Sequence, residues 1–307
     1  NVSFADADAV AELMWHCGAN AHMNYGLTAS GAAFIDAMQA FRNIFGYKAS
    51  RHIDKMDFTW SEWINLVKNE LNNDRPVYYD GQNQSTDEGH AFICDGYTPD
   101  DYFHINWGWG YRNPAYYNDY YLLTCLDAEG TNYDFSRDCG MMLDVYPTDE
   151  QPATELRFQS LECSLLPLEV NKSFTISCGV KNVGGTFFDG SIGIGVVGSD
   201  GSVKNVLVQW ENMQLPEGNY YNSPLDFECN LPFLLVGGEM IVPIYKMATG
   251  EWTAMEGVEG VPAGIDMNGY VEKEEEEKPA ITVEWLSNPY DGKYVQVGNW
   301  LQEDKPI

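Results

Sequence analysis

The spacing of hydrophobic and polar positions changes partway along the chain. From residue 6 to about residue 72 apolar residues recur every three or four positions, and after that they alternate. Val10, Leu13, Met14 and Cys17 follow acidic Asp6 and Asp8 at helical spacing. They predict an amphipathic helix over 6–18 whose stripe, Cys17 included, faces a core. A second helix is expected over 31–45, with Phe34, Ile35, Met38, Phe41, Ile44 and Phe45 on one face and a stop at Gly46. The third opens on Thr59, with Glu62 three residues later as the partner of a capping box. It carries Trp63, Leu66, Val67 and Leu71 inward to about Asn72. Pro76 bars its continuation.

Beyond Pro76 the period falls to two. Pro76 to Asp80 reads as a strand, 82–88 as a polar loop able to act as a flap, and His90 to Asp95 as a half-buried strand. Thr98-Pro99-Asp100-Asp101 turns the chain back into a second alternating run, Tyr102 to Trp107, so the two runs should form an antiparallel hairpin. Strands around 120–126 and 140–146 would complete an antiparallel sheet, giving an α+β portion over 1–148. The Pro147 to Pro152 stretch marks a boundary. Short alternating runs then fill 152–270 between Gly, Asn and Pro turns, which predicts an all-β sandwich of immunoglobulin-like type as an accessory domain. The run Glu272 to Lys278 reads as a solvated acidic linker over 271–279, and 280–307 as a tail with a strand at 280–285.

Composition narrows the function classes. A formal charge of −29 repels nucleic acid and anionic lipid, so neither is an expected partner. No run of eighteen apolar residues occurs, so no membrane-spanning helix is predicted. No signal peptide opens the chain and Asn1 is not an initiator Met, so a mature or cleaved secreted product is expected. The seven cysteines lack metal-type CxxC spacing, and no metal site or organic cofactor is expected. Free buried thiols are their expected state, with a sandwich-spanning Cys178–Cys229 disulfide as the alternative.

The candidate chemistry sits in Gly89 to Gly110, GHAFICDGYTPDDYFHINWGWG. His90 and Asn106 fall on neighbouring strands, where a carboxamide can hold one imidazole nitrogen and leave the other for proton transfer. Trp107 would shield that hydrogen bond from water, and Trp109 would form an apolar wall beside it. The competing structural reading is a satisfied core histidine in a Trp-rich hairpin.

These residues carry a resemblance. GHAFICDGY and FHINWGWG resemble the histidine-bearing half of the streptopain family of secreted bacterial cysteine peptidases, which have a papain-like fold. The resemblance extends through AVAELMWHCGANAHMNYG (9–26), NIFGYKASRH (43–52) and NELNNDRPVYYDG (69–81), and covers 9–146. It implies a Cys–His pair in which His90 is the base and Asn106 orients it. It further implies a substrate cleft lined by Ala29, Ser30, Gly31 and Gly89. The family's nucleophile lies upstream of the ELM-type helix, so the resemblance places it ahead of Asn1.

The expected function is therefore a cysteine endopeptidase acting on protein or peptide substrates, secreted or at a bacterial cell surface. Its thiol would come from an N-terminal fragment of the same precursor. The alternative is a non-catalytic papain-like remnant that binds peptides or glycans.

Overall fold

The computed structural model describes residues 4–27, 29–86, 88–109, 120–123, 126–128 and 133–273, together with two strands at 283–287 and 293–297. Among the described residues the α-helices are α1 (Phe4–Asn20), α2 (Phe34–Asn43) and α3 (Trp60–Asn72). They accompany a sheet of β1 (Arg51–Asp54), β2 (Val77–Gln82), β3 (Gly89–Tyr97), β4 (Phe103–Asn106), β5 (Tyr120–Tyr121) and β6 (Arg137–Leu143). The sheet order is β1-β6-β2-β3-β4-β5, and every neighbouring pair is antiparallel.

Helix α3 forms where its capping box predicts. Thr59 accepts from the Glu62 N–H and Glu62 accepts from the Thr59 N–H, satisfying two donors that a helix start leaves free. Trp63 and Val67 are fully buried against the sheet, and the Trp63 indole N–H donates to the Tyr79 hydroxyl at 2.9 Å. Leu66 and Leu71 are partly buried. Thr59→Ala should cost about 1 kcal/mol, read as a lower denaturant midpoint at unchanged slope.

The first two helices depart from expectation. Val10, Leu13, Met14 and Trp15 are each more than half exposed, and Cys17 is exposed rather than in a core. Helical period specifies an apolar face but not what covers it. On α2 only Met38 and Ala40 are fully buried, while Ile35 and Ile44 lie open. Phe34 and Phe41 lean on the sheet through His52 and Tyr78.

The second half contains two sheets around one core. Strands β7 (Leu156–Cys163), β8 (Ser173–Asn182) and β11 (Leu225–Asn230) form one, in the order β11-β8-β7. Strands β9 (Phe188–Val197), β10 (Val203–Leu215) and β12 (Met240–Met247) form the other, in the order β10-β9-β12. Phe158, Ile176, Val180 and Phe227 from the first pack with Phe188, Ile192, Ile194 and Ile241 from the second, all essentially inaccessible to water. Cys178 and Cys229 do not bridge these sheets. They lie on adjacent strands of one sheet, opposite Leu225 and Phe174 respectively, and both are free. Four residues of strand separate their levels, about 13 Å, which exceeds disulfide reach. The strand expected at 280–285 appears at Val283–Ser287, paired antiparallel with Lys293–Val297.

Ion pairs join the two halves. Lys181 on β8 reaches Asp54 and Asp57, Arg157 on β7 reaches Glu62, and Arg42 on α2 makes a bidentate pair with Glu217 at 2.8 Å for both bonds. Arg51 binds Glu155 at 2.8 Å, and the Arg157 guanidinium lies over the Phe58 ring at 4.1 Å. Val183 from the second half is buried with the core of the first.

Candidate active site

Strand alternation decides what His90 can touch. Phe92 and Cys94 on β3 and Phe103 and Ile105 on β4 are buried, with Trp107 following β4 on the same side. Cys94 is level with Ile105, and Ile93 is level with Asn106. Cross-strand partners share a face and successive residues alternate, so Asn106 projects on the side of Ile93 while His90, three residues earlier, projects on the other.

The orienting bond expected between them is accordingly replaced. His90 Nε2 pairs with the Trp107 carbonyl oxygen at 2.8 Å, and Asn106 Oδ1 accepts the Gly108 N–H at 3.0 Å. Counting residues back from the hairpin turn would give a register that sets Asn106 level with Cys94, on the same face as His90. A bulge between Cys94 and Gly96 shifts it, and no local pattern announces that.

The consequence for the imidazole is definite. A carbonyl oxygen only accepts, so Nε2 carries the proton in the neutral ring and Nδ1 presents a lone pair. Nδ1 has no partner among the described residues and is not one of the buried unpartnered polar atoms, which leaves it open to an incoming group.

Aromatic rings fix the plane of His90. Trp109 stacks on it at 4.7 Å between centroids and 28° between planes. Phe135, Phe92 and Trp107 follow at 5.4, 6.0 and 6.1 Å. Trp107 is buried and donates its indole N–H toward the Tyr121 hydroxyl at 3.4 Å, whereas Trp109 remains partly open to solvent. Burial in this cage pushes the His90 pKa below its ordinary value, and the bond to Trp107 pulls the other way without cancelling the effect.

Two contributors were not singled out from sequence. Phe135 reaches the ring from a distant segment, and Gly81 lies opposite His90 on β2. A Cβ at Gly81 would stand 1.9 Å from the Phe135 carbonyl oxygen, so only glycine lets that segment cross the strand. A glycine within a strand is a signal for such an approach.

The other expected cleft residues lie elsewhere in the chain. Ser30 and Gly31 form one side of an exposed two-residue hairpin with Asn24 and Tyr25, and Ala29 lies in its loop. No hydrogen bond or ring contact joins this hairpin to His90 among the described residues. Gly89 is exposed at the start of β3, immediately before the histidine. The loop expected as a flap is laced down: Asn83 Oδ1 accepts from the Ser85 and Thr86 N–H groups, and Arg137 donates to Gln82 Oε1 and the Thr86 carbonyl.

Cysteine chemistry at this position would need a thiol that ionises near neutral pH. Burial pushes the thiols of Cys94, Cys139, Cys178 and Cys229 up to about 12, and raises that of the half-buried Cys163. Cys17 sits exposed on α1, and Cys125 lies outside the described residues.

His90 is thus a tautomer-fixed histidine stacked in an aromatic cage at a strand start. Residues 2–117 match the family model described as Peptidase C10. The chain is 39% identical over 110 residues to the thiol protease/hemagglutinin PrtT of Porphyromonas gingivalis, covering 36% of this chain and 12% of that protein. It is 37% identical over 103 residues to streptopain of Streptococcus pyogenes, covering 33% of this chain and 25% of that protein. The chain thus spans a quarter or less of these relatives' length. Active wild-type interpain A of Prevotella intermedia superposes with a TM-score of 0.43 at 34% identity, covering 48% of this chain and 59% of that one.

Proposed function

We propose that this chain supplies the histidine-bearing part of a streptopain-like cysteine endopeptidase, with the nucleophilic cysteine brought by an N-terminal segment of the same precursor. The observation that carries this reading is His90, with Nε2 committed to the Trp107 carbonyl and Nδ1 open. In the mechanism, Nδ1 takes the thiol proton as the thiolate attacks the scissile carbonyl, and the imidazolium then protonates the leaving amine. The buried thiols have pKa values unsuited to the nucleophile's role, which favours an incoming one. The exposed stripe Val10, Leu13 and Met14 on α1 is an apolar surface that a companion segment would cover.

Under the same proposal residues 152–270 are an accessory immunoglobulin-like sandwich, the substrate is protein or peptide, and the location is secreted or cell-surface. Among the described residues, no helix is long and apolar enough to cross a membrane.

The test is labelling of the whole precursor, after maturation, with an irreversible thiol-directed peptidase inhibitor. Label on a cysteine of a companion fragment, together with hydrolysis of a denatured protein substrate, is the expected result. Absence of both label and hydrolysis would overturn the proposal in favour of a peptide- or glycan-binding remnant.

A further inference from the structure

The carbonyl that fixes His90 is itself held in place by a local device on the opposite face of the sheet. Strand β4 ends at Asn106, whose exposed side chain folds forward and accepts the N–H two residues on. That is an Asx turn, which redirects the backbone without help from the ladder. Gly108 sits in the left-handed region at φ +75°, with nothing within 4 Å of the place a Cβ would occupy. The peptide between these two anchors is the one whose carbonyl, that of Trp107, meets His90 Nε2 at 2.8 Å.

We propose that Asn106 and Gly108 are positioning residues: together they aim the Trp107 carbonyl and thereby hold neutral His90 in the Nε2–H form with Nδ1 free. The inference rests on His90 being the proton-transfer group. It assigns Asn106 an indirect role, since its side chain and the imidazole lie on opposite faces of the sheet. The aromatic cage sets the plane of the ring, while the Asx turn sets which nitrogen is protonated. Stacking alone cannot supply that distinction, because a ring flipped within its own plane stacks equally well.

The chemistry of each residue makes the test selective. Asparagine and aspartate both present an acceptor oxygen at 106, and alanine presents none. At 108 glycine adopts positive φ freely and asparagine tolerates it, whereas valine resists it. The open space around Gly108 means that a substituent there tests backbone conformation rather than packing.

The experiment is nitrogen NMR of ring-labelled His90 in the full 307-residue chain, which reports tautomer and titration without requiring peptidase activity. Asn106→Ala and Gly108→Val should each lower the preference for Nε2–H over Nδ1–H by about tenfold, the worth of one good hydrogen bond. Both should also move the His90 titration to lower pH. Asn106→Asp and Gly108→Asn should retain the parent tautomer. An unchanged tautomer in Asn106→Ala and Gly108→Val, with circular dichroism showing both folded, would overturn the proposal, as would loss of the tautomer in Asn106→Asp. If the tautomer responds as expected but the matured precursor cleaves nothing, the positioning holds and the peptidase reading fails.

Discussion

His90→Ala in the complete precursor is expected to lower kcat/KM for peptide hydrolysis by about 10³-fold or more, with kcat carrying the loss. Removal of a general acid–base group alone costs roughly 10²–10⁴-fold, and under the proposed mechanism the same ring also promotes thiolate formation and protonates the leaving amine. The interaction is made as charge develops, so KM should move little. His90→Gln is the sharper variant, because it keeps a donor for the Trp107 carbonyl and much of the contact with Trp109 while abolishing proton transfer. Equal losses in both variants would show that the proton matters rather than the packing. Retention of activity in His90→Gln would remove His90 from the mechanism.

The acid dependence has a definite sign. Burial lowers the His90 pKa, so the unfolded chain takes up this proton more readily than the folded one. Stability that is present above the ordinary histidine value of 6.5 is therefore lost as pH falls through the lower folded value. A thiolate placed opposite Nδ1 would raise the pKa again by opposing charge. Titration of His90 at higher pH in the matured complex than in this chain alone is thus expected, and the two can be compared by NMR.

The second large effect is on stability. Lys181→Met should destabilise the chain by about 3–5 kcal/mol, because removing one partner of a buried pair strands the other charge. Lys181 and Asp57 have side chains only 9% and 2% exposed, and Asp54 shares the ammonium. Burial pushes the Asp57 carboxyl up, and its bond to Lys181 does not fully offset this. Burial also works against the Lys181 charge, yet Asp57 and Asp54 together carry its pKa above the ordinary value. Its stabilising contribution is consequently complete below 10.5 and lost as pH rises through the folded value. Lys181→Met combined with Asp57→Leu should recover much of the loss, since a matched apolar pair avoids the desolvation cost. Chemical denaturation of single and double variants supplies the comparison. A single-variant loss under 1 kcal/mol would mean that this contact between the halves is incidental.

Legibility from sequence followed the range of the interactions involved. The capping box at Thr59 and Glu62 was readable because both partners lie within one helical turn. The hairpin holding His90 was readable because period-two alternation brackets a Thr-Pro-Asp-Asp turn. Phe92, Cys94, Phe103 and Ile105 form the buried face of that hairpin, while their partners across the core, Trp63 and Phe135, come from segments no local rule connects to them. The inward orientation expected for Val10, Leu13 and Met14 did not follow, because an apolar helix face states a need for cover without naming the cover.

The sequence by itself determined which segments are helical, which alternate, and which histidine lies within a run of aromatic residues. These are matters of neighbouring residues and their periods. Only the tertiary structure decided that the Trp107 carbonyl, and not the Asn106 carboxamide, meets His90, and that Lys181 from the second half neutralises Asp57 in the first. The physical reason is common to both: strand register and the approach of distant segments decide which polar atoms meet, and a shift of one residue turns a side chain to the other face.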